Sequence, residues 1–190
     1  MKVIVFLGIK YAGKTTCIKA VQEILAEKQI PIQKKIFSSL PDGTTYSWDV
    51  LEFLPKDEKV QIFGTGGDHE KTVMFYRREA IPRANRYIFV IDCQKHAEIY
   101  SQVDYIMREI SCAFNRRTAP SQIPAVIFYN KVDMFWDESI PEQTINFLQK
   151  AGVHPPIKIL ETYRTVAIRH PDYRHEFYNI WRGIEKICDL

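Results

Sequence analysis

The chain has 190 residues, 46% of them hydrophobic and 13% aromatic, a composition that excludes a disordered or low-complexity protein and allows a proper core. Its 26 Lys and Arg stand against 23 Asp and Glu, a net charge of +3 that is too balanced for a nucleic-acid partner yet suits a phosphate ligand. The four cysteines, Cys17, Cys93, Cys112 and Cys188, show neither metal spacing nor a disulfide rhythm and read as reduced thiols of a cytoplasmic protein.

Along the chain, short β-branched runs alternate with helical patterns, which predicts βαβ units and a largely parallel sheet. The first strand is Lys2–Leu7, whose apolar run is too short for a signal peptide or a membrane span. Lys2 excludes N-myristoylation and the Cys188-Asp189-Leu190 ending is not a prenylation box, so no direct membrane anchor is expected. A helix begins around Lys14, with Ile18, Val21, Ile24 and Leu25 on one face, and ends near Gln29 because Pro31 cannot continue it. Residues 31–46 read as a long connection with turn chemistry at Pro41-Asp42-Gly43. A hairpin follows: strand Ser47–Leu54, a turn at Pro55-Lys56-Asp57 and a returning strand Lys59–Phe63, the one antiparallel contact expected. The polar stretch Gly64–His69 leads into a helix containing Met74, Phe75 and Ala80.

Arg86–Cys93 is almost continuously apolar, as a buried parallel strand should be. Ile99, Val103, Ile106, Met107, Ile110 and Phe114 keep helical register after it. Beyond Pro120–Pro124, the strand Ala125–Tyr129 ends in Asn130-Lys131-Val132-Asp133. Ser139 and Glu142 have the spacing of a capping box opening a short helix that Gly152 closes. Ile157–Leu160 is the last strand, and Tyr173, Phe177, Ile180, Trp181, Ile184 and Ile187 mark a final amphipathic helix. With no internal repeat and no second domain, residues 1–190 form one unit.

Two motifs carry chemistry. Gly8-Ile9-Lys10-Tyr11-Ala12-Gly13-Lys14-Thr15-Thr16 is GxxxxGK[ST] between a strand and a helix, the context in which that pattern cradles phosphate. Backbone N–H groups converge on phosphate oxygens there, and the helix N-terminus adds partial positive charge. Gly8, Tyr11, Ala12, Gly13, Lys14, Thr15 and Thr16 are the candidate phosphate-side residues. Lys14 would reach the β- and γ-phosphates, and the Thr15 hydroxyl would take a place on Mg²⁺. The second motif, Asn130-Lys131-Val132-Asp133, lies at the carboxyl end of a strand, where open α/β sheets bind ligands. Asp133 can accept from N1–H and the exocyclic amine of guanine together; adenine has no such donor pair and would leave the carboxylate unpaired. Lys131 would lay its stem over the base, and Asn130 would tie this loop to the phosphate loop.

This pair of motifs resembles the Ras-like superfamily of small GTPases over nearly the whole chain. Ala12–Thr16, Glu52-Phe53-Leu54-Pro55 and Val90-Ile91-Asp92-Cys93-Gln94 resemble, within it, the bacterial MglA-type gliding-motility and polarity GTPases. The resemblance implies a three-layer α/β P-loop NTPase domain with a six-stranded, mostly parallel sheet, one strand of it antiparallel. It also implies GTP or GDP bound with Mg²⁺, two switch segments, and a roadblock-type activating protein as partner beside unknown effectors. A cytoplasmic monomer is expected. In the loop after the last strand, Thr162 falls in the family's base-contacting segment, although Thr162-Tyr163 is not its usual small-residue pair.

Departures from the superfamily pattern bear on hydrolysis. Its DxxG becomes Gly64-Thr65-Gly66-Gly67: Gly67 can fill the place of the glycine that meets the γ-phosphate, but Gly64 cannot replace a carboxylate. MglA-type proteins also lack that aspartate as a rule. Asp68 stands where a glutamine usually orients water and would set negative charge near the γ-phosphate; His69 can position water in its stead, or both can be solvent-facing switch residues. Lys10 replaces the usual glycine of the phosphate loop, either pointing to solvent or lying near the γ-phosphate. Thr45 is taken as the first-switch threonine on Mg²⁺ from among Thr44, Thr45 and Ser47. Arg77, Arg78 and Arg83 are sources of an internal arginine or simply helix-surface charge. Lys10, Gly64 and Asp68 together predict slow GTP hydrolysis, with a non-hydrolysing pseudo-GTPase as the alternative. A nucleoside or nucleotide kinase fits less well, because it has no use for the NKVD loop.

Overall fold

The computed structural model describes residues 1–37, 48–64, 76–114, 120–151 and 156–190. Seven strands form one sheet: β1 (Lys2–Leu7), β2 (Ile32–Ile36), β3 (Asp49–Phe53), β4 (Val60–Gly64), β5 (Arg86–Asp92), β6 (Ile123–Asn130) and β7 (Ile157–Thr165), in spatial order β2-β3-β4-β1-β5-β6-β7. All pairings are parallel except those of β3, which runs antiparallel to both neighbours and is the sheet's one reversed strand. The carboxyl ends of β1, β4, β5, β6 and β7 therefore share an edge with the amino end of β3.

The strands' period of two makes the fold three-layered. On β1, Ile4 and Phe6 enter a core with Ile18, Val21 and Ile24 of α1 (Lys14–Glu27) and Phe177, Ile180 and Ile184 of α4 (Arg174–Cys188). Val3, Val5 and Leu7 face the opposite core, closed by Val103, Ile106 and Ile110 of α2 (Ile99–Ala113) and by Ile140, where α3 (Ile140–Lys150) starts.

Four expectations need correcting. The sheet has seven strands rather than six, because Ile32–Ile36 is a strand and not part of a long connection. Its sequence, IQKKI, carries two adjacent lysines, which blunt an exposed edge but mask the apolar alternation that announces a strand. Its pairing with β3 adds a second antiparallel contact to that of β3 with β4. The last strand runs five residues past Leu160, to Thr165. Ser139 does not cap α3: its φ of −79° and ψ of −17° are already helical, whereas a capping residue is extended. Asp137 Oδ1 instead accepts from Ser139 N–H at 2.7 Å, and Ser139 Oγ accepts from Gln143 Nε2 at 2.9 Å. Met74, Phe75 and Gly152 lie outside the described residues.

Candidate functional site

The phosphate loop leaves β1 at Gly8 and enters α1 at Lys14. Gly13 closes it with φ +93° and ψ 19°, and a Cβ there would sit 2.3 Å from Asn130 Nδ2. Both the left-handed backbone and the close approach demand glycine. Lys14 is 7% exposed, and its ammonium donates to the carbonyls of Gly8 at 2.8 Å and Ile9 at 2.7 Å, which holds the charge at the centre of the loop. Ala12 is buried, Thr16 half-buried and Tyr11 exposed, the last with φ +64°. The Lys10 ammonium lies 5.1 Å from the Tyr11 ring centroid, within cation–π range. Beneath the loop, burial pushes the Cys17 thiol up to about 12, opposed by the nearby Lys14 charge.

Asn130 ends β6 and is 2% exposed. Its Nδ2 donates to Ala12 O at 2.9 Å, so the NKVD segment is tied to the phosphate loop across 118 residues of sequence. Its Oδ1 accepts from Thr165 Oγ1 at 3.3 Å, and that hydroxyl lies equally far from Tyr129 O. Lys131 has φ +64° and pairs through Nζ with Asp92 Oδ2 at 2.6 Å. Asp92 is fully buried at the end of β5; Gln102 clamps its main chain, donating to Asp92 O at 3.0 Å and accepting from Asp92 N at 2.8 Å. A buried carboxylate needs such a partner, and Asp92 in turn fixes the head of Lys131 so that its stem spans the loop. Asp133 is exposed, on a turn closed by Met134 N donating to Lys131 O at 3.0 Å.

Thr162 is not at this edge. It is exposed and pairs with Ile127 inside β7, three positions short of the strand's end, where Thr165 stands opposite Asn130. The threonine that meets the NKVD loop is therefore Thr165, with buried Val166 and half-buried Ala167 after it. The small residues Thr165-Val166-Ala167 were its only signal in the sequence. Two further residues that motif reading passed over are Asp92 and Asp49. Asp49, fully buried at the start of β3, accepts from Thr15 Oγ1 at 2.5 Å. Arg83 pairs with Glu79 on the surface at 2.6 Å. Thr45, Thr65, Gly67, Asp68 and His69 lie outside the described residues.

The arrangement offers backbone donors and a helix N-terminus for phosphate, and an ammonium at the loop's centre. Beside them stands an oxygen pair, Thr15 and Asp49. Hard oxygen donors suit Mg²⁺, which typically takes one or two protein oxygens and completes its shell with phosphate and water. Among the described residues no group of three or more His, Cys, Asp or Glu could hold a metal ion. Thr15 would hold Mg²⁺, and the residues present fit.

The model of the ADP-ribosylation factor family matches residues 1–173. No curated protein matches the chain in sequence. Among solved structures, it is similar to the Arl6 (BBS3) small GTPase of Trypanosoma brucei bound to the nucleotide analogue GppNp. The TM-score is 0.58 at 17% identity, covering 98% of this chain and 99% of that one. It is also similar to the bacterial selenocysteine-specific elongation factor EF-Sec, with a TM-score of 0.59 and 17% identity. There all of this chain is covered but only 29% of the elongation factor, so it corresponds to one part of that larger protein.

Proposed function

The chain belongs to the ADP-ribosylation factor family of small GTPases, nucleotide-binding switches, and from that premise we propose that it binds GTP and GDP with Mg²⁺ and hydrolyses GTP slowly when alone. The observation that carries this reading is the Asn130–Ala12 hydrogen bond. It joins a phosphate loop to a loop of guanine-reading composition, so that one ligand can meet both. Lys14 neutralises phosphate charge from the loop's centre, and the α1 N-terminus adds to it. Mg²⁺, when bound, draws charge off the β- and γ-phosphates. Lys131 covers one face of the base, Thr165 steadies Asn130, and Asp133 accepts the guanine donors.

Slow turnover follows from Lys10 in the loop and Asp68 beyond β4: a lysine crowds the approach of an activating arginine, and an aspartate near the γ-phosphate opposes charge build-up. The switches order around the γ-phosphate and release a partner after hydrolysis. In the MglA-type reading, which rests on the short stretches around Lys14, Phe53 and Asp92, the activating partner is of roadblock type and the process is cell polarity or surface motility from the cytoplasm. Among the described residues no helix is long and apolar enough to cross a membrane.

The test is the nucleotide that co-purifies with the protein, read by chromatography after denaturation, followed by single-turnover hydrolysis of GTP. Guanine nucleotide and slow phosphate release are expected. Adenine nucleotide would refute base selection, and no release above the buffer rate, with or without a roadblock-type protein, would leave a pseudo-GTPase.

A further inference from the structure

We infer that Asp49 takes over, from β3, the carboxylate role that position 64 at the end of β4 cannot fill, and so serves as a positioning residue for the metal side of the nucleotide. This rests on the GTP–Mg²⁺ reading above. Asp49 opens the one reversed strand, so it lies at the sheet edge where β1 and β4 end, and its register partner is Gly64. Its carboxylate is wholly buried, and Thr15 Oγ1 donates to its Oδ2 at 2.5 Å.

Two consequences follow from that geometry. The first concerns the hydroxyl. An ionised carboxylate only accepts, so the Thr15 proton is committed to Asp49 and the oxygen presents its lone pairs elsewhere. A metal ligand needs lone pairs, so Asp49 sets Thr15 in the orientation that binds a cation. It also adds negative charge close to that cation, which low dielectric strengthens.

The second concerns Gly64. A Cβ built there would lie 2.6 Å from Ile18 Cδ1, 3.2 Å from Asp49 Cβ and 3.3 Å from Asp49 Oδ2. A side chain at position 64 would displace the Ile18 tip and press on Asp49 by a few tenths of an ångström. A carboxylate from β4 would therefore stand against the one that β3 already supplies, crowding it and repelling its charge. In this chain the carboxylate comes from β3, and the glycine is the condition for that rather than a defect.

The experiment measures release of a fluorescent GDP analogue against free Mg²⁺, together with the electron paramagnetic resonance spectrum of Mn²⁺ added with GDP, for wild type and three variants. Asp49→Asn preserves shape and a partner for Thr15 but removes the charge. It should raise the Mg²⁺ concentration needed to retain nucleotide by at least about tenfold, leave release in excess chelator unchanged, and alter the Mn²⁺ spectrum. Gly64→Asp alone should loosen the site through crowding. The exchange Asp49→Gly with Gly64→Asp should recover most of the Mg²⁺ dependence lost in Asp49→Asn. An Asp49→Asn midpoint within twofold of wild type, or an exchange variant no better than Asp49→Asn, would overturn the inference while leaving guanine-nucleotide binding intact. A wild-type protein that retained no guanine nucleotide at any Mg²⁺ concentration would overturn the underlying reading and this inference with it.

Discussion

Replacing Asn130 by alanine should disconnect the two halves of the site. The side chain is 2% exposed and bridges Ala12 O at 2.9 Å and Thr165 Oγ1 at 3.3 Å. Truncation leaves the carbonyl of buried Ala12 without this donor, at about 1–3 kcal/mol for an unsatisfied buried group. The longer bond from Thr165 adds about 0.5–1 kcal/mol. The sum, about 1.5–4 kcal/mol, corresponds to a fall of about 3–16 °C in Tm at this chain length, where 1 kcal/mol shifts Tm by about 2–4 °C.

Thr165→Val supplies the second arm of a double-mutant cycle. Alone it should cost about 0.5–1 kcal/mol, because the Thr165 hydroxyl also lies 3.3 Å from Tyr129 O and its bonds are long. Once Asn130 is truncated, much of that cost is already lost, so the pair should fall short of additivity by at least about 0.5 kcal/mol. Nucleotide release should accelerate in both single variants, more in Asn130→Ala. Thermal unfolding of the nucleotide-free protein gives the stability term, and a fluorescent GDP analogue gives the release term. An Asn130→Ala protein melting within about 2 °C of wild type, or strict additivity with Thr165→Val, would refute the bridging role.

Asp133→Asn should loosen the preference for guanine and admit xanthine nucleotides, because the amide offers a donor where the carboxylate offered only acceptors; competition binding with GDP and xanthosine diphosphate reads this, and an unaltered GDP preference counts against base reading. Stability should fall in alkali. Burial pushes the thiols of Cys17, Cys93 and Cys188 up to about 12 from an ordinary 9.0, so the folded state keeps them neutral where the unfolded chain ionises them. Their contribution is fully present below pH 9 and is lost as the pH rises towards 12, by up to about 1.4 kcal/mol per pH unit for each thiol. Cys17→Ala should therefore flatten the decline of Tm measured between pH 8 and pH 10.5, and an equal slope in the two proteins would show that Cys17 does not contribute.

What the sequence made legible was local. Gly8–Thr16 is contiguous, and its loop geometry follows from a strand and a helix that both announce themselves by periodicity. β5 and β6 are apolar between their terminal residues because both faces are covered, so their ends, and the NKVD loop with them, were easy to place. Three features were not legible, each for a reason of pairing or exposure. β2 hides behind the lysines that protect its edge. β7 keeps going through Glu161, Thr162 and Arg164, three exposed residues, so apolar pattern stops it too early and assigns the loop contact to Thr162 instead of Thr165. Asp49 meets Thr15 only because β3 runs backwards, and no motif read along the chain couples residues whose meeting depends on strand direction.

That last point changes what slow hydrolysis should be attributed to. Read along the chain, Lys10, Gly64 and Asp68 form one argument for weak catalysis, with the missing carboxylate at its centre. If Asp49 supplies that carboxylate, Gly64 drops out and the argument divides. Metal affinity then belongs to Asp49 and Thr15, at the base of the phosphate loop. On the proposed reading, turnover is then left to Lys10 and Asp68. The Lys10 ammonium lies over the ring of exposed Tyr11, while that of Lys14 is held by the loop carbonyls of Gly8 and Ile9. An arginine finger from a partner is worth about 10³–10⁵ in rate, so on the proposed reading a lysine at position 10 that crowds its approach keeps turnover slow. On the proposed reading the two properties are therefore separable: retention of Mg²⁺–GTP and speed of turnover rest on different residues, which is the combination a switch needs if a partner is to decide when it resets.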